Sequence, residues 1–262
     1  MLWGENGDMK KSSFLGHEKA LLTCMVQAET PDRIKELMSR SSSEGAEAFG
    51  IQFCRLKAEY RNAETYNELF KYIDGKPVYV TNYRNHGSNS GKSDDALAVE
   101  LVELAECGAT LCDVIGDMFD KQDDEVAKDN TAIEKQMKLI DELHKRGAEV
   151  LMSSHIFKFT PAERVLEIAL EHQRRGADIS KIVTGASNRA EEIENLGIMN
   201  LLRENLKIPI LFLSVGECYI SRRIGATLGN CMSLCVYEYD ELSTKLQPLL
   251  RDQKLLRDTI GL

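Results

Sequence analysis

The chain has 262 residues, of which 43% are hydrophobic and 29% charged, a composition typical of a globular protein with a substantial core. This composition excludes a disordered tail and a miniature disulfide scaffold. The formal net charge of -9 argues against a nucleic acid or an anionic membrane surface as the main partner. It still permits a small anionic substrate, because a few arginines in a cleft can outweigh the overall sign locally.

The cysteines are scattered, without a paired C-x-x-C motif or a histidine spaced for zinc. They are Cys24, Cys54, Cys107, Cys112, Cys218, Cys231 and Cys235. We therefore expect reduced thiols, no metal site and a cytoplasmic location. No apolar run approaches the roughly 20 residues of a membrane span. The stretch up to Lys11 is acidic and polar, unlike a signal peptide.

Eight short apolar runs predict eight strands, each followed by a stretch with helical spacing. In chain order the runs are 20–26, 49–53, 77–83, 111–115, 149–153, 181–184, 209–214 and 232–237. Runs that are apolar throughout are typical of parallel strands covered on both faces. The pattern therefore favours a parallel sheet.

Helix signals separate these runs. Thr30 with Pro31 predicts a helix that ends near Ser43, and a second Thr-Pro pair precedes a predicted helix over 162–175. Apolar residues at three- and four-residue intervals predict three further helices, over 124–146, 188–204 and 241–258.

The alternation predicts an α/β fold, a single (β/α)8 TIM barrel over residues 20–262 that follows a short irregular leader over residues 1–19. An open doubly wound sheet is the alternative. Chemistry in such a barrel gathers at the C-terminal ends of the strands. The polar residues at these ends are Gln52, Arg55, Asn82, Tyr83, Arg84, His86, Asp113, Asp117, Ser153, Ser154, His155, Lys181, Ser214, Glu217, Arg222 and Arg223.

Lys181 opens a run that is short and apolar enough to be a barrel strand. If its side chain points into the barrel, loss of solvent lowers its pKa, and the neutral amine can attack a substrate carbonyl to form a Schiff base. The alternative is that Lys181 lies at the lower edge of the strand and extends to solvent. Spacing alone leaves both open.

His155 ends the run Glu-Val-Leu-Met-Ser-Ser-His, a position that suits a general acid or base because an imidazole exchanges protons near neutral pH. A hydrogen-bonded loop histidine is the alternative. The histidines in the leader or on charged helices, His17, His144 and His172, are expected at the surface.

Arg222 lies at the predicted start of the helix after the seventh strand. An arginine beside a helix N-terminus can hold a carboxylate or phosphate by a bidentate contact. A surface salt bridge is the alternative.

Two polar segments support no functional hypothesis. Residues 87–93, Gly-Ser-Asn-Ser-Gly-Lys-Ser, are one residue short of a phosphate-binding loop and predict a flexible hydrophilic loop. Residues 120–126, Asp-Lys-Gln-Asp-Asp-Glu-Val, predict a solvated helix start with acids at its N-terminus.

Three motifs in order resemble the type I 3-dehydroquinate dehydratase family. Residues 152–161, Met-Ser-Ser-His-Ile-Phe-Lys-Phe-Thr-Pro, are similar to the family's serine-x-histidine-x-phenylalanine strand with its Thr-Pro helix start. Residues 176–183, Gly-Ala-Asp-Ile-Ser-Lys-Ile-Val, resemble the segment with the Schiff-base lysine. Residues 221–225, Ser-Arg-Arg-Ile-Gly, followed by Gly229, resemble the motif whose arginine binds the substrate carboxylate.

The resemblance runs from about residue 20 to residue 250 and implies a (β/α)8 barrel. It implies that Lys181 forms an imine with a ketone, that His155 moves protons while water is lost, and that Arg222 binds a carboxylate. It also implies a small keto acid as partner, 3-dehydroquinate by default, and no cofactor or metal.

The fourth strand departs from the family pattern of aspartate-x-glutamate. The chain reads Asp113-Val114-Ile115 there, so isoleucine replaces the glutamate that assists the histidine. Asp117, Asp113 itself or Glu217 could supply a replacement carboxylate.

The second and third strands also depart. Gln52 replaces a glutamate, and Arg55 and Arg84 are each displaced by one residue, which along a strand turns a side chain to the other face unless a bulge restores it. These three residues, with Ser214 at the end of the seventh strand, are expected to bind substrate. In the eighth loop the predicted helix starts so early that the family's serine and glutamine, which close over the substrate, are expected to be missing.

The favoured hypothesis is a cofactor-independent carbon-oxygen lyase that dehydrates a carboxylated cyclic keto-polyol. The alternatives are an imine-forming lyase or aldolase for another keto acid or keto sugar, and a non-catalytic ligand-binding barrel. A metal-dependent enzyme using Asp113, Asp117, His155 and Glu217 is a further alternative. A homodimer is expected because symmetric dimers are the commonest oligomers.

Overall fold

A computed structural model describes residues 12–73 and 75–260. Its strands are β1 (Leu21–Val26), β2 (Ala48–Gln52), β3 (Val78–Thr81), β4 (Leu111–Ile115), β5 (Glu149–His155), β6 (Ile179–Ala186), β7 (Ile210–Gly216) and β8 (Met232–Cys235). Its helices are α1 (Pro31–Glu44), α2 (Ala63–Tyr72), α3 (Asp94–Cys107), α4 (Asn130–Lys145), α5 (Ala162–Arg174), α6 (Arg189–Asn205), α7 (Ser221–Ile224) and α8 (Leu250–Ile260). Within these ranges no helix has the length and apolar character needed to cross a bilayer.

The eight strands form one parallel sheet that closes on itself. Their order is β7-β6-β5-β4-β3-β2-β1-β8, so β1 joins β2 to β8. A single bridge between Ile210 and Asn230 spans the gap between β7 and β8. The Asn230 amide accepts a hydrogen bond from the Phe212 main-chain N–H at 2.8 Å and donates one to its carbonyl at 3.0 Å. The predicted (β/α)8 barrel is confirmed.

Alternation along each strand divides the apolar side chains into an inner and an outer core. On β6, Ile179 and Val183 pack inside the barrel with side chains of the other strands, whereas Ile182 packs outside against α5 and α6. Lys181 shares the inner face with Ile179 and Val183, because side chains two residues apart point the same way. This geometry overturns the alternative in which Lys181 reaches solvent at the lower edge.

Capping residues set most helix starts. The Thr30 side chain accepts the Arg33 N–H at the start of α1, and Asp129 accepts the Ala132 N–H at the start of α4. The prediction that a helix begins at residue 124 is therefore wrong, because the chain turns into a loop until the Asp129 cap.

The predicted helix over 241–258 is also wrong at its start, because α8 begins only at Leu250. Pro248 explains the difference, since proline in a helix interior lacks an N–H and clashes with the preceding turn. A loop of residues 236–249 therefore connects β8 to α8.

The described part of the leader closes the lower end of the barrel. Phe14 is buried among the inner-core side chains. Its main-chain N–H donates to the Glu149 carboxylate at 2.9 Å, and the Ser13 hydroxyl donates to the other oxygen. Residues 1–11 of the expected leader and residues 261–262 of the expected barrel lie outside the described residues.

Candidate active site

A cavity of about 710 Å³ lies at the C-terminal ends of the strands. Predicted site residues from six different strand–helix units line it, namely Gln52, Arg55, Arg84, Asp117, His155, Lys181 and Arg222. The barrel thus brings these side chains together at the end where its loops gather.

Lys181 lies at the floor of this cavity and is 4% exposed. Its Nζ donates to the hydroxyl of Tyr83 at 2.6 Å, to the hydroxyl of Tyr79 at 3.0 Å and to Asp113 Oδ2 at 3.3 Å. Burial lowers the pKa of Lys181, and the charge of Asp113 opposes that change. A buried lysine with a lowered pKa is a nucleophile suited to a carbonyl carbon.

Asp113 lies inside the barrel and faces Lys181. Burial by itself raises its pKa, but the Lys181 ammonium outweighs that effect together with the His155 ring and hydrogen bonds from Ser153 and Tyr79, so the pKa falls below its usual value. The carboxylate therefore stays ionised as the counter-charge of the lysine.

His155 ends β5 and lines the cavity. One Glu125 oxygen, Oε2, accepts from its main-chain N–H at 2.7 Å and from Nδ1 at 2.9 Å. The ring of Tyr83 meets the His155 ring edge-on, with centroids 5.2 Å apart. The imidazole is therefore held by a carboxylate on one side and an aromatic ring on the other.

Glu125 belongs to a loop of residues 116–129 that packs against the end of β5. Ala127 N–H donates to the Gly116 carbonyl at 3.0 Å. The buried guanidinium of Arg175 donates to the carbonyls of Gly116 and Ala127 at 2.9 and 2.8 Å. The segment predicted as a solvated helix start is instead an anchored loop that delivers a carboxylate to His155.

Arg222 lies in α7, and its Nε donates to the Ser214 carbonyl at 2.6 Å. Burial, followed by the charge of Arg223, lowers the pKa of Arg222 to about 10. No carboxylate within the described residues forms an ion pair with it, so its guanidinium faces the cavity ready for an anion. The Ser214 hydroxyl instead accepts from Asn195 at 3.0 Å outside the cavity, and the expectation that this side chain binds substrate is wrong.

The displaced arginines reach the cavity because neither lies on a strand. β2 ends at Gln52 and a 3-10 turn carries Arg55, while Arg84 follows the end of β3 at Thr81. The strand alternation that argued against them therefore does not apply. Arg55 Nε is buried and has no hydrogen-bond partner among the residues that the structure describes, so this group is available to a ligand.

Within the described residues the carboxylate bonded to His155 Nδ1 is Glu125, and none of the three candidate replacement carboxylates takes that position. Asp117 pairs with Arg84 at 2.6 Å, and burial raises the pKa of Asp117. Glu217 is exposed and outside the cavity lining, so its expected role is wrong. The four residues of the metal alternative do not come together, and no group of three potential ligands lies close enough within residues 12–73 and 75–260.

The eighth loop reaches over the cavity. Ser243, Thr244 and Gln247 line it. Gln247 Oε1 is buried and finds no hydrogen-bond partner in the described part of the chain. The expectation that a serine and a glutamine are missing from this loop is therefore wrong.

The family model described as type I 3-dehydroquinase matches residues 23–244. The chain belongs to the type I 3-dehydroquinase family. The match covers every strand of the barrel except the first two residues of β1.

Two curated relatives are both named 3-dehydroquinate dehydratase. The protein of Alkaliphilus oremlandii is 34% identical over 115 residues, which are 43% of this chain and 44% of the relative. That of Syntrophotalea carbinolica is 27% identical over 170 residues, 63% of this chain and 62% of the relative. Each matched region therefore leaves a substantial part of the relative outside the alignment.

A solved structure has the same fold as this protein. The type I 3-dehydroquinate dehydratase of Clostridium difficile, solved with covalently modified comenic acid, superposes with a TM-score of 0.78 at 17% identity. The superposition covers 94% of both chains. At this identity the likeness shows the barrel fold.

Some residues of this protein have positions or contacts that were not predicted from the sequence. His172 is fully buried between Ser154 and Ser180, at 3.1 and 3.0 Å from their hydroxyls, so its expected surface position is wrong. Glu125 was predicted to lie at a solvated helix start, and no sequence signal marked it as the partner of His155. Of the two tyrosines bonded to Lys181, Tyr83 was among the polar residues predicted at strand ends, whereas Tyr79 was not predicted and had only the inward register of β3 as a signal.

Proposed function

We propose that this protein dehydrates 3-dehydroquinate to 3-dehydroshikimate through an imine on Lys181. The observation that carries the proposal is the buried Nζ of Lys181 at the floor of a cavity that also contains His155 and Arg222. Membership of the type I 3-dehydroquinase family supports the same substrate. No cofactor enters the proposed reaction.

Lys181 attacks the ketone carbon and, after loss of water, leaves a protonated imine that withdraws electrons from the neighbouring carbon. His155 then removes a proton from that carbon. Its Nδ1 is bonded to Glu125, so Nε2 is the nitrogen that takes the proton and returns it to the departing hydroxyl.

Arg222 holds the substrate carboxylate in this proposal. Its guanidinium is partly buried and pairs with no carboxylate of the described residues, so it gains a strong charge-assisted hydrogen bond when an anion enters. Gln52, Arg55 and Arg84 lie elsewhere around the cavity and contact the ring hydroxyls. Ser243 and Gln247 of the eighth loop close over the substrate.

The proposal also covers the oligomeric state, the cellular location and the partners of the enzyme. We propose a homodimer in the cytoplasm that has no nucleic-acid partner. The cysteines are scattered along the sequence without a paired C-x-x-C motif, which suits a reducing compartment, and the net charge of -9 disfavours nucleic acid. Sedimentation at micromolar concentration tests the dimer, and a single monomeric species overturns it.

Borohydride trapping with 3-dehydroquinate, read by intact mass, tests the imine. We expect an adduct on the wild-type chain and none on Lys181→Ala. Lys121→Ala is the matched control, because this second lysine also lines the cavity but lies in the loop after β4. An adduct that persists in Lys181→Ala contradicts the mechanism.

The alternative substrate is another keto acid or keto sugar, cleaved by dehydration or by an aldol reaction. Ile115 favours it, because an apolar side chain lines the cavity where the family has a glutamate. Trapping with a panel of keto acids separates the two substrates, and the absence of any adduct indicates a non-catalytic barrel.

A further inference from the structure

Three acceptors surround the amine of Lys181, and only one extends beyond its strand towards the mouth of the cavity. Asp113 is 2% exposed and Tyr79 is fully buried within β3. Tyr83 lies after the end of β3, is partly exposed and meets the His155 ring. Tyr79 and Tyr83 both line the cavity, and the phenol of Tyr83 is the more exposed of the two.

Imine formation, on which the proposed function rests, moves two protons away from this nitrogen. The ammonium carries three protons and the protonated imine keeps one. The other two leave with the carbonyl oxygen as water, so the overall step balances without an external acid or base. Each of these protons needs a route from Nζ to the substrate oxygen.

We propose that Tyr83 is a catalytic residue that relays both protons from Lys181 to the substrate carbonyl oxygen. The Tyr83 oxygen takes one proton from the ammonium, the freed lone pair of Nζ forms the N–C bond, and the Tyr83 hydroxyl proton passes to the carbonyl oxygen, which gives a carbinolamine that is still protonated on nitrogen. A second relay of the same kind protonates the carbinolamine hydroxyl. The C–O bond then breaks, water leaves, and Tyr83 is unchanged.

The surroundings of Tyr83 suit a relay. Its oxygen accepts from Nζ at 2.6 Å, and without substrate its hydroxyl donates to Asp113 Oδ2 at 2.7 Å. In the proposed relay this hydroxyl turns from Asp113 to the substrate carbonyl oxygen. Burial and the charge of Asp113 raise the pKa of Tyr83, which keeps the phenol neutral. Asp113 remains as the counter-charge for the one proton left on nitrogen.

The test compares Tyr83→Phe with Tyr79→Phe. Both changes remove a hydroxyl bonded to Nζ and to Asp113 while the ring remains. Rapid-quench borohydride trapping with 3-dehydroquinate measures the rate at which the Lys181 adduct forms. We expect about a 100-fold slower rate for Tyr83→Phe and less than about a 10-fold change for Tyr79→Phe.

The pH profile separates a relay from a purely structural role. If Tyr83 only adjusts the pKa of Lys181, the rate for Tyr83→Phe returns to the wild-type plateau at high pH. A relay lowers the plateau itself, and we expect that result. Recovery of the plateau, or equal slowing by Tyr79→Phe, overturns the proposal.

Failure of the proposed function gives a different result, because the wild type then forms no adduct with 3-dehydroquinate. Circular dichroism checks that Tyr83→Phe is folded. Where it is not, the solvent deuterium isotope effect on adduct formation by the wild type decides. A relay predicts a normal effect at the plateau, and its absence overturns the role of Tyr83.

Discussion

A single carboxylate oxygen of Glu125 accepts two hydrogen bonds from His155, one from the main-chain N–H at 2.7 Å and one from Nδ1 at 2.9 Å. Because a carboxylate only accepts, Nδ1 carries a proton, and in the neutral ring Nε2 is the nitrogen with the lone pair. Glu125 holds this position with a φ of +48°, a region that side chains other than glycine rarely adopt. The contact fixes both the tautomer and the direction of the ring.

Removal of the Glu125 side chain is therefore expected to reduce turnover far more than stability. We expect Glu125→Ala to lower kcat about 100-fold, because the wrong tautomer and a free ring become accessible. Glu125→Gln keeps an acceptor and is expected to lose less. Steady-state assays with 3-dehydroquinate measure both, with the exposed Glu217→Gln as control. An unchanged kcat in Glu125→Ala contradicts the role of this contact.

We expect Arg222 to strengthen substrate binding and to lower the stability of the substrate-free protein. Burial lowers its pKa to about 10, so the folded protein carries the cost of a desolvated charge until an anion binds. We expect Arg222→Ala to raise KM about 100-fold, as for a lost charge-assisted hydrogen bond. The same change is expected to leave the substrate-free protein as stable or about 1 kcal/mol more stable.

Arg223→Ala is the control for this prediction. The Arg223 guanidinium stacks on the Tyr219 ring at 4.8 Å from its centroid and does not line the cavity. We expect its KM to stay near wild type. If both variants raise KM equally, a general loss of positive charge explains the result and the specific contact does not.

The pH dependence of adduct formation is expected to follow Asp113. The charge of Asp113 raises the pKa of Lys181 against the effect of burial. Asp113→Asn removes that charge, so the pKa of Lys181 falls further and the neutral amine persists to lower pH. The acidic limb of the trapping rate should therefore shift to lower pH.

Ser153→Ala serves as the matched control for Asp113→Asn. The Ser153 hydroxyl donates to the other oxygen of Asp113, so its removal weakens one hydrogen bond and keeps the charge. We expect a much smaller shift of the acidic limb. A limb that moves to higher pH in Asp113→Asn shows that this carboxylate does not control the lysine.

The barrel could be predicted because strands covered on both faces are apolar throughout. β4 shows this directly, since its predicted range of 111–115 is the observed one. Prediction failed at 124–129 and 241–249, where helical spacing of apolar residues continues into loops that precede α4 and α8. Pro248 argued against helical structure at 241–249, because proline disrupts a helix interior.

In the site, too, the residues on strands could be predicted and the residue in a loop could not. Lys181 and His155 lie on strands, where order along the chain fixes their position in the cavity. Glu125 lies well beyond the end of β4, and its place depends on contacts of the loop with Gly116 and Arg175. Sequence spacing carries no information about such contacts, so the partner of His155 could not be predicted.

Gly116 is expected to be essential for this loop. A Cβ at Gly116 would collide with the Glu125 carbonyl oxygen and lie 2.9 Å from the Ser154 hydroxyl. We expect Gly116→Ala to displace the loop, with about 1–3 kcal/mol less free energy of unfolding and a loss of kcat like that of Glu125→Ala. Urea unfolding and steady-state assays measure the two effects.

Gly197→Ala is the control for Gly116→Ala, and we expect it to stabilise the protein. Gly197 lies inside α6 and a Cβ there meets no atom within 4 Å. We expect this change to raise the free energy of unfolding by about 1 kcal/mol, because alanine favours a helix interior over glycine. Equal destabilisation by both substitutions would show that steric contact at Gly116 is not the cause.

His172 is expected to make the protein sensitive to acid. Complete burial, with a further contribution from Arg175, lowers its pKa to about 3 from an ordinary value of 6.5. The folded state therefore keeps His172 neutral while the unfolded chain binds a proton below about pH 6.5. The stability is complete above that pH and is lost as the pH falls towards 3, with about 2 kcal/mol already lost at pH 5.

His172→Gln isolates this contribution from that of the carboxylates. A glutamine can still bond the hydroxyls of Ser154 and Ser180, which contact the ring nitrogens in the wild type, but it does not titrate. Urea unfolding at pH 7 and at pH 5 measures the free energy of unfolding of both proteins. Between pH 7 and pH 5 the wild type should lose about 2 kcal/mol more of this free energy than the variant. A difference that is independent of pH would show that the histidine is protonated in the folded protein, and that its burial does not govern its titration.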